Sequence, residues 1–135
     1  MKETHLSNPV TIHKPNGYSH VAKVASGNVV YIAGQVALNK DGQLVAKDDF
    51  SAQVQQVFAN LSEALKSAGG SFADVVKLNY FCVDRLDRSQ LAVLRSTPDR
   101  YVNTQSPPVS RLVFVSSLVS SDLLIEVEAV AVVNA

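Results

Sequence analysis

No sustained hydrophobic period runs through residues 1–17, where His5, Pro9, His13, Pro15 and Gly17 lie among mostly polar neighbours, and an irregular arm is expected there. From Tyr18 onward the pattern changes to short β-prone runs. Tyr18–Val24 and Val29–Ala33 lie on either side of Ser26-Gly27-Asn28, a turn-forming cluster that predicts an antiparallel pair. Val36–Leu38 and Gln43–Val45 flank Asn39-Lys40-Asp41-Gly42, in which Asp-Gly is a strong hairpin signal. Phe50, Val54, Val57, Phe58, Leu61 and Leu65 then recur at steps of four, three, one, three and four, which aligns them on one face of a helix. Asp48 and Asp49 suit the positive end of that helix and Gly69-Gly70 stop it.

The run Val75–Val83 is β-branched and aromatic and reads as a central strand. Asp87-Arg88-Ser89-Gln90 resembles a capping box and opens a second helix through Leu91 and Leu94, interrupted or restarted at Pro98 with Tyr101 on the restarted turn. Two strands, Val109–Ser117 and Leu123–Val133, end the chain. Two helices cover only one face of such a sheet, so the other face needs a partner, and further copies of the same chain are the simplest supply.

At 135 residues the chain is the size of one ordinary domain. Twelve basic and twelve acidic residues cancel, leaving no electrostatic footprint for nucleic acid or an anionic membrane. Cys82 is the single cysteine, and the N-terminal residues lack the apolar core of a signal peptide, so a cytoplasmic location is expected. No apolar run approaches the length of a membrane span.

One charge interrupts the apolar run that follows Pro108. Arg111 would share a strand face with Val109, Val113 and Val115, while Ser110, Leu112 and Phe114 take the other. Both faces are largely apolar, which predicts a buried strand, and a buried guanidinium calls for an anionic partner. That partner is either a structural ion pair at a subunit boundary or a planar carboxylate ligand, which the arginine fork suits. Glu126 and Glu128 share one face of the last strand, either as a solvated face or, for Glu126, as a general base in a cleft. They make no metal site, because no histidine or aspartate spacing accompanies them. Tyr18 and His20 follow the Asn16-Gly17 turn on a common face, and Gly34 either permits close backbone approach to a ligand or marks a bulge. Cys82, between Phe81 and Val83, reads as a small core hydrophobe, and phosphate loops, nucleophile elbows and Cys-x-x-Cys pairs are absent.

Four segments, Asn16-Gly17-Tyr18-Ser19, Ile32-Ala33-Gly34-Gln35, Ser106-Pro107-Pro108-Val109-Ser110-Arg111 and Ile125-Glu126-Val127-Glu128-Ala129, together resemble the reactive intermediate deaminase family, the Rid/YjgF group also labelled endoribonuclease L-PSP. The resemblance runs from about Tyr18 to the C-terminus. It implies a single α+β, chorismate-mutase-like domain with a mixed sheet, two helices on one face, and a homotrimer with clefts between subunits and no cofactor. It further implies hydrolysis of enamines and imines, of the 2-aminoacrylate or 2-iminobutanoate type, to 2-keto acids and ammonia. Carried over by position, Arg111 would clamp the substrate carboxylate and Glu126 would position the attacking water, with Tyr18 and the Gly34 backbone lining the pocket. Ala33 and Val113 stand where serine and cysteine are common in the family, His20 where glutamine is frequent, and Leu94 or Arg95 where an asparagine is expected. The alternative implied by these changes is a non-catalytic trimer that holds small carboxylates or keto acids in the same cleft. Ribonuclease activity, suggested by the older label, does not fit the neutral charge balance.

Overall fold

The computed structural model of the chain describes residues 1–135. Six strands and one long helix carry the fold: β1 (Glu3–Ser7), β2 (Val21–Ser26), β3 (Asn28–Gln35), α1 (Phe50–Ser67), β4 (Val75–Val83), β5 (Val109–Val115) and β6 (Ile125–Val133), with a one-turn helix α2 (Val93–Ser96) between β4 and β5. The main sheet has the order β3-β6-β4-β5. β4 and β5 run parallel and the other pairings are antiparallel, so the sheet is mixed.

α1 forms where the three- and four-residue spacing predicts it. The Asp49 carboxylate accepts a hydrogen bond from the Ala52 amide, satisfying one of the free amides at the helix start. The helix stops where Gly69 takes φ +79°, a conformation that favours glycine. Its buried stripe, Phe50, Val54, Val57, Phe58, Leu61 and Leu65, packs on the sheet face that carries Leu78, Tyr80 and Cys82 of β4 and Ile125, Val127 and Ala129 of β6. Gln53 lies within the same stripe and is fully buried. Its amide donates to the Ala46 and Asp122 carbonyls while its oxygen accepts from Leu124 N–H, which fixes the start of β6 to the helix.

Three sequence expectations change. The arm over residues 1–17 is not wholly irregular, because Glu3–Ser7 pairs with β2 in a separate two-stranded sheet. The hairpin expected across Ser26-Gly27-Asn28 does not form: β2 pairs with β1 and β3 with β6. Gly27 has φ +120°, and a Cβ there would lie 2.6 Å from Val132 Cγ1 and 2.9 Å from Lys2 Cβ, so the glycine bends the chain tightly past β6 instead of reversing it. The second helix is broken into a 3₁₀ segment Arg88–Ala92, α2, and a 3₁₀ turn Pro98–Arg100. Asp87 caps the first segment through Ser89 N–H, and Pro98, which has no N–H to continue a ladder, opens the last. These segments pack Leu91, Val93, Leu94 and Val102 against the face already covered by α1, so the opposite face of the sheet stays bare. On that bare face Tyr31 is 81% exposed and Val29 46%.

Candidate functional site

The register of the sheet sets out the bare face in rows. Arg111 of β5, Asn79 of β4 and Glu128 of β6 are mutual neighbours in one row, and Val113, Phe81 and Glu126 form the next. Arg111 and Glu126 therefore share a face, two strands and one row apart, about 12 Å between Cα atoms from standard strand spacings. The Arg111 guanidinium leans toward the row of Glu126, with Cζ 5.9 Å from the centre of the Phe81 ring. A ligand between the two groups would lie over Phe81.

β5 is an edge strand of the sheet, and this corrects the expected burial of Arg111: the residue is exposed, and Leu112 is 37% exposed. Apolar residues on both faces read as burial, but the outer edge of β5 meets the chain only at its start, where Ser19 bridges Val109, and is open beside Arg111. Arg111 also has no salt bridge within the chain. Glu128, its row mate across β4, is engaged instead by Asn79, whose Nδ2 donates to Oε1 at 2.8 Å. The Asn79 Oδ1 is buried without any partner.

The Glu126 carboxylate packs over Gly34. A Cβ on Gly34 would lie 2.5 Å from Glu126 Oε2 and 2.7 Å from Cδ, so only a residue without a side chain leaves room for this carboxylate position. The β3–β6 register also shifts between Ile32 and Gln35, so Gly34 lies at a bulge, and the space its side chain would fill is taken by the Glu126 carboxylate. Ala33 lies in the same irregularity and is exposed, and Val113 is half-buried.

A cavity of about 740 Å³ opens on the other face of β5, between that strand, the broken second helix and the Asn16-Gly17-Tyr18 turn. Tyr18, Arg95, Asp99, Ser110 and Arg111 supply its polar wall, and Leu78, Leu91, Leu94, Val102 and Leu112 its apolar one. Of the predicted site residues it thus brings together Tyr18 and Arg111. Glu126, Gly34, Ala33, Val113 and His20 lie outside it.

Ser19, named in the sequence only as part of the Asn16-Gly17-Tyr18-Ser19 segment, positions Tyr18. Its N–H donates to the Pro108 carbonyl at 3.2 Å and its hydroxyl to the Pro107 carbonyl at 2.5 Å, pinning the turn beside the start of β5. The Tyr18 hydroxyl lies 2.9 Å from His13 Nε2, and His20 donates from Nε2 to the His13 carbonyl at 2.7 Å. His20 therefore buttresses Tyr18 from outside the cavity.

Burial pushes the Cys82 thiol up to about 11, so it stays protonated and is no nucleophile, in keeping with its place in the core. Burial, and next the charge of Asp99, also raise the Tyr80 hydroxyl above its ordinary value. No group of three or more histidine, cysteine, aspartate or glutamate side chains stands ready to hold a metal ion. No helix is long and apolar enough to cross a membrane.

Residues 10–133 match the sequence model described as Endoribonuclease L-PSP. The chain belongs to the Rid, or endoribonuclease L-PSP, family. A RutC family protein of Pyrococcus abyssi is 33% identical over 119 residues, 87% of this chain and 88% of that protein. The crystal structure of a Rid family protein of unknown function from Yersinia pestis has a TM-score of 0.87 at 38% identity, covering 96% of this chain and 98% of that one. A protein of Dermatophagoides farinae named 2-iminobutanoate/2-iminopropanoate deaminase is 30% identical over 76 residues, 56% of this chain and 58% of that one. The α+β architecture with a mixed sheet and helices on one face is thus a Rid fold.

Proposed function

We propose that the protein hydrolyses small enamines and imines, of the 2-aminoacrylate or 2-iminobutanoate type, to 2-keto acids and ammonia without a cofactor. The observation that carries this reading is a guanidinium without a salt bridge, Arg111, facing the same side of the sheet as a carboxylate, Glu126, that packs over a glycine. Arg111 forks onto the substrate carboxylate. Glu126 takes a proton from water as the water oxygen bonds to C2 of the imine. That proton passes to the nitrogen to give a carbinolamine; the proton of the new hydroxyl then follows to the nitrogen as the C–N bond breaks, so that ammonia leaves and the C=O bond of the keto acid forms. An enamine first tautomerises to the imine.

The protein acts in this reading as a homotrimer with its sites between subunits. The exposed Tyr31 and Val29 and the open edge of β5 support that assembly, because a bare apolar sheet face is unfavourable in water. A single buried thiol fits a cytoplasmic location. A balanced net charge of zero argues against RNA as substrate.

The non-catalytic reading, a trimer that only holds small carboxylates, is favoured by one observation: Glu126 lies outside the cavity that Tyr18 and Arg111 share. Generating 2-iminobutanoate in situ with a threonine dehydratase separates the two. Ammonia release faster than the spontaneous rate supports hydrolysis, whereas a thermal shift with 2-ketobutyrate and no acceleration supports binding alone.

A further inference from the structure

On the bare face of the sheet, one row holds a polar atom that nothing in the chain satisfies. Asn79 of β4 stands in register between Arg111 of β5 and Glu128 of β6. Its side chain is buried, its Nδ2 donates to Glu128 Oε1 at 2.8 Å, and its Oδ1 has no partner. Exchanging the two ends of the amide would not help, because the oxygen would then face a carboxylate oxygen and the donor would stand idle. A buried acceptor left unmet is costly, so such a group ordinarily has a donor within reach.

That donor is a side chain, since Oδ1 has no surface open to water. With the Nδ2 end of the planar amide given to β6, the other end is left to β5, where the row mate of Asn79 is Arg111. The two strands lie about 4.8 Å apart, well within the length of an arginine side chain. Arg111 is exposed and has no salt bridge. Its Cζ lies 5.9 Å from the centre of the Phe81 ring, near the limit at which a ring attracts a cation, so little holds the guanidinium in that position. Lys77 is the other cation on this face of β4, but it belongs to the row of Val109 and Val130, on the far side of Asn79 from Phe81.

Resting on the deaminase reading, we infer that Asn79 and Glu128 are positioning residues for the substrate clamp. When a ligand carboxylate binds, the Arg111 guanidinium turns one N–H onto Asn79 Oδ1 and keeps two parallel N–H groups for the carboxylate. Five N–H donors in one plane are enough for both. Glu128 acts from behind: its charge holds the amide with Oδ1 toward β5 and strengthens that acceptor, because linked hydrogen bonds polarise one another. Glu128, Asn79 and Arg111 thus form a chain across three adjacent strands, on the sheet face that also carries Phe81 and Glu126. The same chain accounts for the absence of a direct Arg111–Glu128 ion pair, since Asn79 already engages the carboxylate.

Calorimetric titration of the full-length protein with 2-ketobutyrate, alongside a thermal melt without ligand, tests the inference. Asn79→Leu should weaken binding about tenfold or more, the scale of one hydrogen bond to a charged group, while the unliganded melt shifts by no more than about 3 °C. In an Arg111→Ala background the same substitution should change Kd by no more than about twofold, because it acts through the arginine. Asn79→Thr keeps a hydroxyl that donates to Glu128 and accepts from Arg111, so its Kd should stay within about threefold of wild type even if Arg111→Ala binds too weakly to measure. Lys77→Met should leave Kd within about twofold of wild type. Wild-type affinity in Asn79→Leu overturns the inference, as does a threonine variant as weak as the leucine one, an equal loss in the Arg111→Ala background, or an equal loss in Lys77→Met. If binding depends on Arg111 but not on Asn79, only this inference fails. If 2-ketobutyrate does not bind and no imine is hydrolysed, the deaminase reading falls with it.

Discussion

Gly34→Ala separates catalysis from folding in this protein. The added Cβ would lie 2.5 Å from Glu126 Oε2, 2.7 Å from Cδ and 2.9 Å from Cγ. Ordinary van der Waals contact begins at about 3.5 Å, so the carboxylate must move by roughly 1 Å. Gly34 has no left-handed φ, so alanine brings no backbone strain, and the atoms in its way end a flexible, half-exposed side chain. The folded state should lose no more than about 1 kcal/mol, a drop of ~3 °C in Tm for a chain of this size. Misplacing a catalytic group by 1 Å can cost about 100-fold, equivalent to ~2.7 kcal/mol of barrier. The assay is ammonia release from 2-iminobutanoate beside a thermal melt of the same preparation. A variant with wild-type kcat/KM would refute the placement of Glu126 as the water-positioning group. A variant that unfolds would refute the claim that the carboxylate can yield.

Three other substitutions probe the fold around the site. Gly27→Ala should destabilise by about 2 kcal/mol or more, read by urea unfolding, because φ +120° disfavours any side chain and Val132 and the Val133 carbonyl lie within 2.9 Å of the new Cβ. Asn79→Leu should change stability by no more than about 1 kcal/mol, because relief of a buried oxygen that has no partner offsets the lost hydrogen bond to Glu128; a loss of about 3 kcal/mol would mean that Oδ1 is satisfied in the assembled protein. At Asp74, burial pushes the carboxyl up, but hydrogen bonds from Lys2 and Ser71 overcome it and hold it below its ordinary value of 3.8. A lowered folded-state pKa means this contribution is complete above pH ~4 and is lost as pH falls further, so Asp74→Asn should cost ~1 kcal/mol at pH 7 and progressively less in acid. An equal loss at pH 7 and pH 2.5 would show that the Lys2–Asp74 tie between β1 and the start of β4 is not electrostatic.

How legible each element was depends on whether its cause is local. α1 was readable because its caps and apolar spacing lie within the segment, and β4 because Val75–Val83 has few polar interruptions. The partner of β2 was not, since the turn chemistry of Ser26-Gly27-Asn28 is the same whether the chain reverses or bends, and the steric contacts that decide come from Lys2 and Val132, far away in sequence. Arg111 was recognised as the anion-seeking residue, but its exposure follows from sheet order, which apolar alternation does not encode. Gly34 and Glu126 were each picked out, yet their contact arises only from the β3–β6 pairing. Ser19 and Asn79 received no role for a common reason: their importance lies in partners distant in sequence, the Pro107 and Pro108 carbonyls for Ser19 and Glu128 for Asn79.

The most direct test of the account compares ammonia release from 2-iminobutanoate, generated in situ, by the wild type and by Arg111→Ala at matched folded concentration. The account predicts acceleration over the spontaneous rate by the wild type and a loss of about 100-fold or more in the variant, on the scale of removing one charge-stabilising donor. Equal rates for the two proteins would contradict it.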